Sequence, residues 1–172
     1  MNETIFHISD LAVIWGISNK NNLHTTLKRY AKQKLLYRVY RGLYSILPID
    51  KVDSFLLGAK AIHGYSYVST ETVLARAGII SQKLNYITFV SSKSRRFSVG
   101  NRDYYVRQMN DRFLFNDIGI EKKSGVNFAG IDRAIADMIY YNPRAHFDSP
   151  GKINWKKINQ IQKYIGYPII KR

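Results

Sequence analysis

The sequence predicts an α+β fold, and three patterns in the chain predict it. Residues 9 to 46 show helical spacing of apolar side chains followed by two short strand-like segments. Residues 86 to 128 are rich in β-branched and aromatic side chains, which favour strands. Residues 132 to 165 return to helical spacing. Because 45% of the 172 residues are apolar, the chain can bury real cores and is expected to fold.

The first helix is predicted to begin at the capping candidates Ser9 and Asp10. Its buried face would carry apolar residues spaced three and four apart, which are Leu11, Ile14 and Trp15. Gly16 is expected to begin the turn that ends this helix. Ala12 lies four positions earlier, and a small residue at this spacing lets two helices cross closely. The segment therefore has the spacing of a helix-turn-helix.

A second helix with two contrasting faces is predicted over residues 19 to 35. One face would carry Leu23, Leu27, Tyr30, Ala31 and Lys34. The opposite face has polar and basic side chains and no acid, namely Asn21, Asn22, Thr25, Lys28, Arg29 and Lys32. In a DNA major groove, Asn and Arg can contact base edges while Lys and Thr contact phosphates. This face is a candidate DNA-binding surface, and the alternative is an ordinary solvated helix face.

A β-hairpin is predicted directly after the second helix. Residues 36 to 40 alternate in the two-residue rhythm of a strand, Gly42 permits a tight reversal, and residues 43 to 46 return. Arg38 and Arg41 would lie near the hairpin tip, where a wing reaches the DNA backbone or minor groove. Residues 5 to 8 could pair with this hairpin, and His7 is then expected to be structural. Together these elements predict a winged helix-turn-helix that binds DNA, rather than a purely structural module.

Pro48 interrupts the pattern, because proline cannot donate to a strand ladder and disfavours helix in the residue before it. We therefore predict a winged helix-turn-helix domain over residues 1–50 and a second domain over residues 51–172. The formal net charge of +15 and the pI near 10.0 favour polyanionic or acidic partners. Residues 1–50 hold 7 Lys or Arg against 3 Asp or Glu, and residues 51–172 hold 20 against 9. The second domain therefore needs an anionic partner of its own.

The second domain is predicted to be a mixed α/β domain with a mainly antiparallel sheet. A helix would begin near Lys51 and end at His63 and Gly64, and another would span residues 70 to 77. Strands are predicted at residues 86–90, 97–99, 104–106, 113–115, 118–120 and 126–128. Two amphipathic helices would follow at residues 132–141 and 154–165.

A group of basic residues surrounds the predicted turn at Gly100 and Asn101. This turn would bring Arg96 and Arg102 close together in a hairpin. We predict a basic surface patch that consists of Lys93, Arg95, Arg96, Arg102 and Arg107. Like charges on one surface are tolerated mainly where an anionic partner binds, and the alternative is a solvated surface that only keeps the protein soluble.

No residue pattern supports catalysis, a metal or a cofactor. The four histidines are scattered, without the close spacing that metal ligands need. His146 and Asp148 could act as a base and its orienting carboxylate, but turn formation and capping explain their loop position more simply. Three acidic residues lie on predicted helices where a solvated face explains them: Glu71, Asp132 and Asp137. The glycines form no phosphate-binding loop. We therefore expect that the protein is not an enzyme, that it has no catalytic or metal-binding residues, and that it binds no cofactor.

The expected location is the cytoplasm. The chain contains no cysteine, which excludes disulfides and thiolate metal sites and favours an intracellular compartment. No apolar run approaches the roughly 18 residues that span a bilayer. The N-terminal residues lack the basic start and apolar stretch of a signal peptide. We therefore expect a cytoplasmic protein without membrane contact.

Four segments of the sequence resemble the AbiEi family of antitoxins and winged-helix regulators from bacterial abortive-infection systems. Residues 35–44 read LLYRVYRGLY and are similar to the family's wing pattern L-x-R-V-x-R-G-x-Y. In the second domain, residues 67–74 read YVSTETVL, residues 78–80 read GII, and residues 132–137 read DRAIAD. Their order and spacing extend over about 110 residues.

The resemblance implies an antitoxin of a type IV toxin–antitoxin system, whose N-terminal domain represses its own operon. The basic second domain would counter a nucleotidyltransferase toxin without a stable complex. The expected partners are double-stranded operator DNA and the toxin or its nucleic-acid substrate. The alternative is a basic protein- or RNA-interaction module in which the winged helix is a scaffold, and a third hypothesis is a nucleic-acid-processing enzyme.

Overall fold

The computed structural model describes residues 3 to 168, which form nine β-strands in two sheets and seven α-helices. These strands and helices make an α+β fold, as predicted. They belong to two compact units. The first unit runs to His63 and includes residues 99–101, and the second comprises residues 64–98 and the chain from Arg102 onward. The first unit extends past the boundary predicted after Asp50, because one further helix packs on its first strand.

The first unit is built on a three-stranded sheet with three helices. Its elements in chain order are β1 (Ile5–His7), α1 (Ile8–Ile14), α2 (Lys20–Lys32), β2 (Tyr37–Tyr40), β3 (Leu43–Ser45) and α3 (Ser54–Ile62). The sheet order is β1-β3-β2, and both pairings are antiparallel. Gly42 takes a φ of +65° between β2 and β3, a conformation that glycine adopts without strain. The predicted pairing of the N-terminal strand with the hairpin is confirmed.

A small apolar cluster joins α1 and α2 to the sheet of the first unit. Its buried members are Leu11, Leu23, Leu27, Leu36 and Tyr44. Trp15 packs edge-on against Tyr30 beside this cluster, with 5.2 Å between the ring centroids. The predicted inner faces are therefore confirmed at Leu11 for α1 and at Leu23 and Leu27 for α2.

Three other predicted core positions of the first unit are exposed. Ile14 is 62% exposed, because α1 ends at this residue. Ala31 is exposed in the last turn of α2. Lys34 lies beyond the end of α2 with a φ of +57°, so it no longer shares a helical face. The buried stripe of α2 is thus narrower, and the helix shorter, than the sequence predicts.

The second unit contains a six-stranded sheet and four helices. Its strands are β4 (Ser66–Val68), β5 (Tyr86–Ser91), β6 (Arg95–Val99), β7 (Arg102–Gln108), β8 (Ile120–Lys123) and β9 (Val126–Ala129). Its helices are α4 (Thr70–Arg76), α5 (Asp111–Leu114), α6 (Ile131–Tyr141) and α7 (Trp155–Ile165). The strand order is β6-β7-β5-β4-β9-β8. The sheet is mixed, because β5 runs parallel to β7 and β4 runs parallel to β9.

The core of the second unit lies between its sheet and its longer helices. Helix α4 packs on β5 and α6 packs on β9, while α6 also contacts α4 and α7. Fully buried side chains from these helices include Leu74, Ile135 and Ile158. Helices α6 and α7 therefore bury their apolar faces, as their helical spacing predicts.

Two predicted strands of the second unit differ in the structure. The strand predicted at residues 113–115 is wrong, because most of this segment lies in α5. Asn110 caps α5 by accepting a hydrogen bond from the Arg112 backbone N–H at 3.0 Å, which favours a helical turn. The strand predicted at residues 118–120 begins instead at Ile120 and continues through three charged residues to Lys123. Charged residues are common on strands at a sheet edge, so the spacing of apolar residues did not reveal β8.

Candidate nucleic-acid interface

The predicted DNA-binding face of α2 is exposed along its whole length. The exposed side chains are Asn21, Asn22, Thr25, Lys28, Arg29 and Lys32. The opposite side of α2 is held in the core by Leu23 and Leu27. The 3.6-residue helical period separates these two sets of side chains. Because α2 contains no acid, its exposed face carries only positive and neutral polar groups.

The start of α2 is fixed by a cap and borders an open depression. The Asn19 side-chain oxygen accepts hydrogen bonds from the backbone N–H groups of Asn21 at 2.9 Å and Asn22 at 3.2 Å. Gly16, with a φ of +64°, makes the turn that precedes this cap. The depression has a volume of about 470 Å³, and its lining includes Asn22 and Thr25. Two hydrogen-bonding side chains of the candidate face, Asn22 and Thr25, therefore line a concave surface at the beginning of α2.

The two hairpin arginines are exposed in the same compact unit. Arg38 lies in β2 opposite Tyr44, and the strand register shifts between Arg38 and Tyr40. Arg41 precedes Gly42 in the turn. Both side chains reach solvent from the hairpin that follows α2.

His7 and His63 meet in the first unit, although they are far apart in the sequence. His7 Nε2 lies 2.8 Å from His63 Nδ1 and 3.0 Å from the Lys60 carbonyl oxygen. Burial lowers the pKa of His7, and the neighbouring His63 lowers it further. Helix α1 begins directly after His7, whose backbone N–H donates to Asp10 Oδ2 at 2.9 Å. His7 thus joins the start of α1 to the end of α3, which agrees with the structural role expected of it.

The predicted basic patch of the second unit is divided between the two faces of the sheet. Arg95 Cζ lies 4.7 Å from the centroid of the Phe97 ring, and Phe97 stacks on Tyr104 with 4.9 Å between centroids. Arg96 Cζ lies instead 4.6 Å from the centroid of Tyr105. Successive residues of a strand point to opposite faces, so Arg95 and Arg96 do not share one surface.

Arg102 and Arg107 are also separated, because they lie five positions apart in β7 and point to opposite faces. Arg107 forms an ion pair with Glu71 and donates from Nε to Oε2 at 3.3 Å. Burial alone would raise the pKa of Glu71, but hydrogen bonds from Arg107 and Thr70 outweigh burial and lower it. Lys93 is exposed in the loop before β6. The charge of Arg107 is therefore neutralised within the fold, unlike that of an open surface patch.

Arg133 and Asp137 form an ion pair in the interior of the second unit. Both side chains are 0% exposed, and Arg133 Nε donates to Asp137 Oδ1 at 2.8 Å. Asp137 also accepts hydrogen bonds from Ser69 Oγ at 2.7 Å and Tyr167 Oη at 2.6 Å. The remaining Arg133 nitrogens donate, at 2.8 to 2.9 Å, to the carbonyl oxygens of Asn116 and Ile118 and to Tyr67 Oη. Each charged group thus has the partners that burial requires.

The solvated positions predicted for Glu71 and Asp137 are wrong. Glu71 is 8% exposed and Asp137 is 0% exposed, since each is turned inward and neutralised by an arginine. Asp132 is partly exposed, and its Oδ2 lies 2.5 Å from Lys157 Nζ. A signal for the buried pair was present in the sequence, because Arg133 stands four positions before Asp137 on a helix.

The buried network joins two of the segments on which the predicted resemblance to the AbiEi family rests. Residues 67–74 contribute Tyr67 and Ser69, and residues 132–137 contribute Arg133 and Asp137. Burial raises the pKa of the Tyr67 phenol, and the charge of Asp137 raises it further, so this hydroxyl stays protonated. These side chains bind one another in the interior, which fits a structural role for both segments.

His146 and Asp148 have the geometry of a turn. His146 is exposed, and its Nε2 lies 3.6 Å from Asp148 Oδ1. The other Asp148 carboxylate oxygen accepts a hydrogen bond from the Ser81 backbone N–H at 2.6 Å. Asp148 therefore fixes a connection between loops, as the turn interpretation expects. Within residues 3–168, no three His, Cys, Asp or Glu side chains come close enough together to hold a metal ion.

Comparison of the chain with models of known protein families and with curated protein sequences finds no match. In the part of the chain that the structure describes, no helix has both the length and the apolar character needed to cross a membrane. The candidate interface is therefore inferred from the geometry of this chain alone, and the resemblance to AbiEi antitoxins stays a prediction.

Proposed function

We propose that the first unit is a winged helix-turn-helix that binds double-stranded DNA through α2, and that the protein is a transcriptional regulator. The observation that best supports this proposal is the exposed face of α2, which has no acidic residue. The opposite face of α2 anchors the helix in the core. Solvated helix faces are typically laced with charges of both signs, whereas this face offers amides, a hydroxyl and cations. Such a face suits a polyanion with hydrogen-bonding base edges.

The order of elements supports this proposal. The chain runs β1, α1, α2, β2 and β3, with a tight turn at Gly16 between the two helices. A helix, a turn, a helix and an antiparallel hairpin in this order are the parts of a winged helix-turn-helix. In that arrangement the second helix enters the major groove, and the hairpin contacts the adjacent backbone or minor groove.

The residues of α2 divide into two roles under this proposal. Asn21, Asn22 and Thr25 lie in the first half of α2, the end that a recognition helix presents to base edges. Arg29 is suited to guanine, which it can contact through two hydrogen bonds. Lys32, in the last turn of α2, is suited to phosphate.

Charge supplies the general attraction to DNA. The first unit holds 9 Lys or Arg against 4 Asp or Glu. Arg38 and Arg41 add two exposed cations on the hairpin, where they suit phosphates or the minor groove. Binding should therefore weaken as the salt concentration rises, since phosphate contacts release counterions.

A mobility-shift assay with DNA from upstream of the protein's own gene, in excess competitor DNA, tests this proposal. Arg29→Ala should cost about 1 to 3 kcal/mol and relax base preference, whereas Lys32→Ala should weaken all sequences alike. The matched control is Lys51→Ala, which removes one exposed positive charge from the same unit outside α2. Equal binding by the wild type and an Arg29→Ala/Lys32→Ala variant with unchanged melting would end the proposal. That result would favour the interaction module in which this unit is a scaffold.

We also propose that the second unit acts against a nucleotidyltransferase toxin or its nucleic-acid substrate, as the resemblance implies. Its support is the charge of this unit, which holds 18 Lys or Arg against 8 Asp or Glu. Co-expression with a growth-inhibiting product of a neighbouring gene tests the role. Changing Arg95, Arg96 and Arg102 to Glu should abolish rescue while DNA binding by the first unit persists. If the triple variant still rescues growth fully, with unchanged expression and melting, these arginines serve only to keep the protein soluble.

A further inference from the structure

We propose that a cleft in the second unit binds one base of a single-stranded nucleic acid, with preference for bases that carry an exocyclic amino group. The cleft has a volume of about 310 Å³ and lies where β5, β7 and β6 are neighbours in the sheet. Its lining includes Asn85, Tyr86, Arg96, Ser98, Asp103 and Tyr105. All of these residues belong to the second unit, so the inference does not rest on DNA binding by the first.

Two tyrosines form the stacking surface of the cleft. Tyr86 stands opposite Asp103 in the parallel register, and Thr88 stands opposite Tyr105, so the two tyrosines are diagonal neighbours on one face. Their rings meet edge to face, with 6.2 Å between centroids and an angle of 84°. Both side chains are half-buried, so the protein holds their orientation while solvent still reaches them. Aromatic rings held in this way stack on nucleic-acid bases.

Arg96 extends this surface with a planar cation. Its Cζ lies 4.6 Å from the Tyr105 ring centroid, and its side chain is exposed. Arg107 Cζ lies 5.1 Å from the same centroid, and the ion pair with Glu71 holds it there. Tyr105 is therefore positioned by two guanidinium groups, of which that of Arg96 faces solvent. A guanidinium plane can stack on a base, and its N–H groups can contact the neighbouring phosphate.

Asp103 indicates that the ligand is a base rather than a phosphate alone. Asp103 is exposed in the cleft, and Ser98 Oγ donates to its Oδ1 at 2.5 Å. A carboxylate repels phosphate, but it accepts a hydrogen bond from an amino group such as that of cytosine. Asn85 adds an amide that can both donate and accept. Asp103 therefore favours cytosine, adenine and guanine, which carry an exocyclic amino group, over uracil, which has none.

The size and accessibility of the cleft indicate a single strand. Ligand pockets range from about 300 to 1,000 Å³, so a cleft of about 310 Å³ suits one base rather than a large cofactor. In a duplex, neighbouring base pairs cover the faces of each base, and only an unpaired base can stack on a side chain. The net positive charge of the second unit would attract the backbone on either side of that base.

Fluorescence anisotropy with labelled RNA strands of about 12 nucleotides tests this proposal on the full chain. We expect strands of cytosine or adenine to bind at least about 5-fold more tightly than uracil. Tyr86→Leu and Arg96→Ala should each weaken binding to the cytosine strand by about 5- to 150-fold. Asp103→Ala should remove the preference for cytosine over uracil while general binding remains. If Asp103 acted only through its negative charge, Asp103→Ala would instead strengthen binding to every strand alike. That result would overturn base recognition by Asp103.

Lys122→Ala is the matched control, because it removes one exposed positive charge from β8, at the opposite edge of the same sheet. Equal weakening by Lys122→Ala and Arg96→Ala would overturn the proposal, as would equal competition by a duplex of the same length. Measurements in an Arg29→Ala/Lys32→Ala background should give the same preference, since α2 takes no part. Competition by free cytidine monophosphate would support base recognition and identify a mononucleotide as a sufficient ligand. Failure of the wild type to bind any strand at low salt would end the proposal.

Discussion

Replacing Asp137 by asparagine should strongly destabilise the second unit, because it leaves Arg133 charged in the interior without a counter-ion. Both side chains are 0% exposed in the wild type. Burial would lower the pKa of Arg133, but Asp137 together with Tyr67 and Tyr167 outweighs burial and raises this pKa above its usual value. An arginine does not escape burial by losing its proton. Asparagine matches the size of aspartate, so Asp137→Asn removes the charge with little change in packing.

The expected loss follows from the contacts of Asp137. Removing one partner of a buried ion pair costs about 3 to 5 kcal/mol. Asp137 also accepts hydrogen bonds from Ser69 and Tyr167, and a buried hydroxyl left without a partner costs about 1 to 3 kcal/mol. The asparagine oxygen can still accept one of these bonds, so the lost ion pair and the one hydroxyl left unpaired give a total loss of about 4 to 8 kcal/mol. Domains have stabilities of about 5 to 15 kcal/mol, so this loss is a large fraction.

Urea unfolding followed by the fluorescence of Trp155 measures this effect. The chain has two tryptophans, Trp15 in the first unit and Trp155 in the second, so a Trp15→Phe background makes the signal specific. Glu121→Gln is the matched control, because it removes a carboxylate whose pair with Lys123 is 66% and 67% exposed. Its unfolding midpoint should not change. A midpoint for Asp137→Asn that shifts no more than this control would refute the role of the buried pair.

Gly119→Ala should cost about 1 to 3 kcal/mol in the same urea assay, because Gly119 has a φ of +73° and an added Cβ would lie 2.9 Å from Arg133 Cβ. Gly151→Ala, where the Cβ meets open space, should cost less, and equal losses would contradict the steric reason. Acid should destabilise the first unit through His7, whose pKa in the folded protein is below its ordinary value of about 6.5. The unfolded chain then binds more protons, so this stability is present above about pH 6.5 and decreases as the pH falls toward the folded-state pKa. The melting temperature should fall as the pH falls across this range, and it should fall less in His7→Gln. An equal fall in both proteins would exclude His7 as its source.

The helices and hairpin of the first unit could be predicted because neighbouring residues specify them. Leu23 and Leu27 mark the inner face of α2, and Gly42 marks the reversal between two alternating segments. Helix α5 was missed although a neighbouring residue indicates it. Residues 113–115 are apolar and aromatic, but the Asn110 cap favours a helical turn. A single capping side chain thus outweighed the strand propensity of the residues that follow it.

Contacts between distant parts of the chain could not be predicted in the same way. The parallel pairs of β4 with β9 and β5 with β7 depend on how the whole second unit folds. The ion pair of Glu71 with Arg107 joins residues 36 positions apart, so no local pattern reveals it. The separation of Arg95 from Arg96 is different, because strand alternation alone implies it. It was missed since the predicted strand began at residue 97, two positions later than β6.

The stability of the second unit and its binding of nucleic acid should depend on different side chains, the first on the interior and the second on the surface. Arg133 uses its guanidinium nitrogens on Asp137, Tyr67 and two backbone carbonyls, so it cannot contact a partner while the unit is folded. Arg96 is exposed over Tyr105 and contributes little to the core. Asp137→Asn should therefore lower the unfolding free energy and leave the affinity and base preference of the folded protein unchanged. Arg96→Ala should instead weaken binding to the cytosine strand and leave the unfolding free energy unchanged. A change in base preference for Asp137→Asn, measured where that variant is still folded, would show that the buried network takes part in recognition.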